Sequence, residues 1–222
     1  MKTQPPLTPT MMKPNTNPTH RIILFLTLIT AALTPTTRAD EASFRHALKT
    51  IPANYLGDIT LAKRTTLFTE LASDATTVRL DAKHGWLHWS SDGGTAGGSC
   101  MFWVKELPRP DGKPPLIFVH MAKPFANADK YQPSTNQTYV LEPVGSEWID
   151  VTKTVIPATI DLTLHFRTRK QDTTIEVAEW KAFPRQDGRG NAYDFGERIH
   201  DLRWIGNGFV IEKPAAKKPT DN

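Results

Sequence analysis

The sequence predicts an α+β domain, with two N-terminal amphipathic helices packed on an antiparallel, hairpin-rich β-sheet. Three observations lead there. Apolar residues recur at helical spacing over 44–51 and again over 61–72. From Thr76 onward the period changes to two, the alternation of a half-buried strand. The strand-like runs are separated by short turn signals, of which Asn207-Gly208 is the strongest. Such turns suit hairpins rather than the long crossovers of a parallel sheet.

Ahead of this domain lies an apolar run, Ile22–Leu33, behind His20 and Arg21 and followed by Thr37-Arg38-Ala39. A positive flank, a short apolar core and a small-x-small site read as a secretory signal peptide over 1–39, cut near Ala39. The run is about a dozen residues, too short to span a bilayer as a helix. No Cys follows it to carry a lipid. Translation can begin at Met1, Met11 or Met12. The reading places the mature protein in the periplasm or outside the cell, with no stable membrane anchor after cleavage.

Removing the leader changes the charge. The leader holds Lys2, Lys13, Arg21 and Arg38 and no acidic residue; taking these four from the 27 basic residues leaves 23, equal to the 23 acidic ones. A neutral chain without a basic stripe gives no support for nucleic-acid binding. The remaining length of about 180 residues is enough for one well-buried core. Residues 40–213 are read as a single domain and 214–222 as a disordered polar tail. Cys100 is the one cysteine, so no disulfide staples the fold and the core must hold it.

The first helix places Phe44, Ala47, Leu48 and Ile51 on one face, and Pro52 ends it. A second begins after Gly57 with Asp58 as N-cap and carries Leu61, Thr65, Phe68 and Ala72 along one side. Val78 and Leu80 then alternate with polar residues. Strands over 84–90 and 99–107 flank a glycine-rich loop, 91–98. That loop length pairs Ser90 with Ser99, His88 with Met101 and Trp86 with Trp103. Leu116–Met121 is a continuous apolar run of strand length, expected at the centre of the sheet. A further hairpin joins 160–168 to 173–181 with Phe166 opposite Ile175. Residues 184–195 read as a surface loop, and a last hairpin turns at Asn207-Gly208.

Few residues point to chemistry. Cys100 sits in a strand rather than at a helix N-terminus that would activate it, so a buried inert thiol outweighs a nucleophile served by His84, His88 or His120. The glycine-rich loop leads into a strand and lacks the lysine and helix of a phosphate cradle. His84 and His88 lie about 13 Å apart in a strand, and no metal-ligand spacing is present. The carboxylates Asp150, Asp161, Glu176, Glu179, Asp194, Glu197 and Asp201 are numerous, but a glycosidase needs a defined separation that spacing cannot supply. Asn136-Gln137-Thr138 is a glycosylation sequon. Six tryptophans are present, and aromatic side chains serve either as core or as a platform for sugar rings. Trp86, Trp103 and His88 are the residues expected to bind a ligand. No cofactor, metal or catalytic group is assigned.

Two segments carry a resemblance. Arg64-Thr65-Thr66-Leu67-Phe68 in the N-terminal helical region, and the closing Trp204-Ile205-Gly206-Asn207-Gly208-Phe209, are similar to segments of an uncharacterised family of secreted bacterial domains. The resemblance implies export and this order of elements, with no activity to carry over. The expected function is that of an exported, monomeric, non-enzymatic binding or interaction domain, with a protein or a glycan as partner. A secreted hydrolase using carboxylates or His, and an envelope scaffolding protein, are the alternatives.

Overall fold

The computed structural model describes residues 41–57, 62, 64–65, 76–91, 100–122, 136–184 and 191–214. All of them fall in one compact unit, Thr36–Asn222. The leader, the glycine-rich loop, the loop over 123–135 and residues 215–222 of the tail lie outside the described residues. So does the predicted second helix, apart from Ala62, Arg64 and Thr65.

The fold is mostly β, which corrects the α+β expectation of two helices on one sheet. Among the described residues ten strands form two antiparallel meanders, and α1 (Glu41–Thr50) is the one helix longer than a turn or two. Sheet I runs in the order β1 (Thr76–Asp81), β2 (Trp86–Ser91), β3 (Cys100–Leu107), β4 (Leu116–Ala122), β5 (Gln137–Val144) and β6 (Glu147–Asp150). Sheet II runs β10 (Phe209–Glu212), β9 (Asn191–Trp204), β8 (Thr174–Pro184), β7 (His165–Thr168). A short helix, α2 (Thr152–Val155), follows β6. The expectation went astray over 184–195, read as a loop for its glycines and charges. Strand β8 reaches Pro184 and β9 takes up 191–195, and the two pair in the second sheet.

Sheet I is the middle layer. On one face Leu87, Phe102, Val104, Val119 and Met121 pack against α1, which delivers Phe44, Ala47, Leu48 and then Ile51 as its spacing requires. Arg64 finishes this layer. Its buried guanidinium donates to the carbonyls of Leu48, Lys49 and Ile51, backbone acceptors that a helix end leaves without partners. On the other face Leu107, Leu116, Phe118 and Val140 meet Phe166, Ile175, Val177, Leu202 and Trp204 of sheet II. Every side chain of β4 is buried, as expected for the central run.

Side-chain hydrogen bonds tie the two sheets at their margins. Trp86 Nε1 donates to Thr168 Oγ1 at 3.0 Å, and Trp204 Nε1 donates to the Pro108 carbonyl at 2.6 Å. The buried Lys105 ammonium donates to the carbonyls of His84 and Lys170, at 2.9 and 3.0 Å.

Both hairpins whose register was derived from turn position are displaced by two residues. Ser90 pairs with Met101 and His88 with Trp103, while Trp86 pairs with Lys105. Phe166 pairs with Val177 rather than Ile175. A two-residue slip keeps every side chain on its face, because the strand period is two. The closing hairpin turns at 205–208, where the Ile205 amide donates to the Gly208 carbonyl and Gly206 takes φ 98°.

Gly85 sets the β1–β2 connection. Its φ is +56°, and a Cβ there would stand 2.4 Å from Glu106 Cβ. Its carbonyl also accepts from the Glu106 amide at 2.8 Å. Gly85→Ala therefore meets left-handed strain and a steric clash together, and is expected to cost about 2–3 kcal/mol. Urea unfolding checks this. A midpoint equal to the parent's would mean that the connection is not the constraint described.

Candidate functional site

The antiparallel register sets a row of rings across the inner face of sheet I. Arg79, His88, Trp103, His120 and Thr138 are direct neighbours on β1 to β5. His88 stacks on Trp103 with ring centres 5.0 Å apart, and Trp103 lies over His120 at 5.8 Å. Sheet II closes the row from above. His165 of β7 meets Trp103 edge-on at 4.9 Å and His120 at 5.4 Å. Trp180 and Phe195, paired across β8 and β9, cover His165 at 4.0 and 5.2 Å. A β-bulge at Ala178 precedes Trp180, and bulges re-aim side chains in this way.

The residues expected to bind a ligand all lie on this face, though not as expected. Trp86 and Trp103 are not cross-strand partners. His88 stands between them, 6.3 Å from Trp86. Trp103 is 6 % exposed, so it offers no open platform for a sugar ring. Trp86 and His88 are half-buried at the margin. The structure adds His120, His165, Trp180 and Phe195. One signal for His120 is visible in the sequence: a histidine inside the otherwise apolar run of β4. His165 carries no such signal, since it alternates with the polar side of its strand.

Burial controls the protonation of this cluster. Desolvation pushes His88 down to about 4, helped by the charges of Arg79 and Arg167. It pushes the fully enclosed His120 down to about 3. His165 lies well below its ordinary value for the same reason, with His120, Arg167 and His88 adding to the effect. The cluster is therefore neutral around pH 7. His120 Nδ1 shares a hydrogen bond with Thr138 Oγ1 at 2.9 Å. His120 Nε2 and His165 Nδ1 are buried without a hydrogen-bond partner, in a place where an unmade bond costs about 1–3 kcal/mol.

No protein-family model, curated protein or solved structure matches the chain.

The other chemical groups have local duties. Glu176 and Asp201 lie side by side on β8 and β9. Glu176 accepts from Arg167 and Arg169, and Asp201 from Arg198. Burial pushes the Glu176 carboxyl up, but the bonds and charges of these arginines outweigh it and leave it below the ordinary range. Asp150 accepts from the Thr152 amide at 2.9 Å and Asp161 from the Thr163 amide at 2.8 Å, each holding a turn. The side chain of Asp194 lies outside the described residues, as does that of Cys100, which opens β3. The sequon residue Asn136 is buried, and its Nδ2 donates to the carbonyls of Thr163 and Leu164 at 2.7 and 3.0 Å. A glycan on that nitrogen is incompatible with this packing. Among the described residues, no group of three or more His, Cys, Asp or Glu is placed to hold a metal ion.

The neutral histidines fix a pH dependence. Unfolding returns each to its ordinary affinity for protons, so below about pH 6.5 the unfolded chain binds more protons than the folded one. Stability must fall as pH drops through this range, and the contribution of His88 levels off near pH 4. An enclosed histidine such as His120 contributes on the order of 2 kcal/mol of this loss between pH 7 and pH 5. Denaturant unfolding at the two pH values is expected to show it, and His120→Gln to flatten the slope. A stability unchanged between pH 7 and pH 5 would refute the neutral, desolvated cluster.

Proposed function

We propose that this protein is an exported binding module whose ligand occupies the histidine–tryptophan cluster between the two sheets. The observation that carries the reading is the pair of orphaned nitrogens, His120 Nε2 and His165 Nδ1, both enclosed by aromatic rings. A few convergent polar atoms in an apolar, aromatic setting are what a small-ligand site offers. Half-buried Trp180, Phe195 and His88 form the outer margin through which a ligand would enter. Export rests on the apolar run at 22–33 and the site at Arg38-Ala39. No helix among the described residues is long and apolar enough to cross a membrane.

A catalytic reading has less support. Activating a hydroxyl requires a base that is itself oriented by a third group. Thr138 and His120 form a hydrogen-bonded pair, but His120 is wholly enclosed and its second nitrogen has no carboxylate on it. A thermal-shift screen tests the binding module, using sugar fragments, small heteroaromatic compounds and metal ions. One class is expected to raise the melting temperature, by mass action on the folded state. His120→Phe is expected to abolish that rise. No shift with any class, or an equal shift in the variant, would overturn the reading.

A protein partner is the second reading, favoured by one observation. Val144 and Ile149 share a face of the β5–β6 hairpin and are 48 % and 45 % exposed. Together they make one small apolar patch on the hairpin, of the kind a protein partner covers. Replacing both with Ser is expected to leave the melting temperature unchanged and to weaken binding of a purified partner. Unaltered binding would remove this surface.

A further inference from the structure

We infer that the cluster binds a soft monovalent metal ion, Cu(I), between the imidazoles of His120 and His165. The inference rests on reading the cluster as a ligand site, and it names the ligand class. It departs from the sequence, which shows no metal-ligand spacing, because the two histidines come from different sheets.

The donors come first. A metal binds the neutral imidazole, and each ring here presents a buried nitrogen with no other partner. On His120 the far nitrogen is engaged by Thr138 at 2.9 Å, the outer hydrogen bond that fixes a ligating histidine's orientation.

The spacing comes next. The ring centres are 5.4 Å apart with planes inclined at 65°. With metal–nitrogen bonds of about 2 Å, each ring centre stands about 3 Å from the metal, and the 5.4 Å separation admits an angle of roughly 120–130° at the metal. That is a bent or trigonal site with one position left open. It suits an ion content with two or three ligands, and not one that requires four or six.

Charge then selects among ions. No carboxylate or thiolate joins the two imidazoles in a metal-binding group among the described residues. The cost of burying an ion rises with the square of its charge, so a divalent ion held by neutral donors alone is far costlier to bury than a monovalent one. Aromatic faces add attraction for a cation: Trp103 lies 4.9 Å and Trp180 4.0 Å from the His165 ring. Arg167 and Arg79 are positive charges that act on the cluster, Arg167 over the Phe195 ring and Arg79 beside His88. Arg167 is hydrogen-bonded to Glu176 at 2.6 and 2.9 Å, in a network where Glu176 and Asp201 also hold Arg169 and Arg198.

The test uses Ag(I) as a redox-inert probe, and Cu(I) under anaerobic competition with a chromophoric chelator. One equivalent is expected to bind and to quench tryptophan fluorescence. His120→Phe and His165→Phe are each expected to weaken binding on the order of 100-fold, and His46→Gln, on the exposed side of α1, to leave it unchanged. No stoichiometric binding overturns the proposal, as does full affinity in either cluster variant. Should those variants fail to fold by near-ultraviolet circular dichroism, histidine nitrogen resonances of the unsubstituted protein decide. Ag(I) must then move His120 and His165, and movement of His46 or His84 alone overturns it. A non-metal ligand that depends on His120, with no Ag(I) bound, would sink the metal and keep the binding module; loss of both would sink the two together.

Discussion

Strand β4 has no side chain open to water, and that burial on both faces organises the rest of the chain. A strand enclosed on both sides needs a layer above and a layer below. Helix α1, with Leu56 and Ala82 beside it, supplies the first, and a second sheet supplies the other. The order of strands follows from economy of connection. Each sheet is a plain antiparallel meander, so neighbours in sequence are neighbours in space and no crossover is needed. Joining the layers then falls to a few polar side chains at the sheet margins. Trp86, Lys105 and Trp204 each reach across to a backbone or hydroxyl oxygen.

Much of this was legible in residue pattern, and what was not has identifiable causes. The helix face Phe44, Ala47, Leu48 and Ile51 is a direct reading of helical spacing. The central position of Leu116–Met121 follows from a run that is apolar but for His120. Register was legible only modulo two. Alternation tells which face a side chain takes, but not how far one strand slides along the next. That distance belongs to the turn, and the glycine-rich stretch after Ser91 admits several lengths. Hence Trp103 was assigned to the correct face and the wrong partner. The second sheet was hidden for a different reason. Residues 191–195 are polar or glycine-flanked, and they become strand because β8 offers them a hydrogen-bonding edge. Tertiary pairing overrides local preference there.

The cluster was half legible for the same physical reason. Trp86, His88 and Trp103 occupy neighbouring strands, so alternation brings them to one face. His165 comes from a separate sheet, and its strand pattern sends it outward with Asp161, Thr163 and Arg167. Trp180, re-aimed by the bulge at Ala178, encloses it instead. Contacts between sheets depend on twist and curvature, which alternation within one strand does not encode.

The energetic logic of the cluster argues that it has a use. Leucine or phenylalanine at 120 or 165 would fill similar space without an orphaned nitrogen, and interiors tolerate such exchanges well when volume is kept. The imidazoles lower stability at two separate points instead. Each carries an unmade hydrogen bond at neutral pH, and each adds a proton-linked loss under acid conditions. Neither cost is offset by an ion pair, as the Glu176 and Asp201 carboxylates are offset by their arginines on the other side of sheet II. A molecule made marginal by its conformational entropy has little room for unrewarded losses of this size. Departures from the best-packed core tend to gather where a protein works, and in this molecule they gather between His120 and His165.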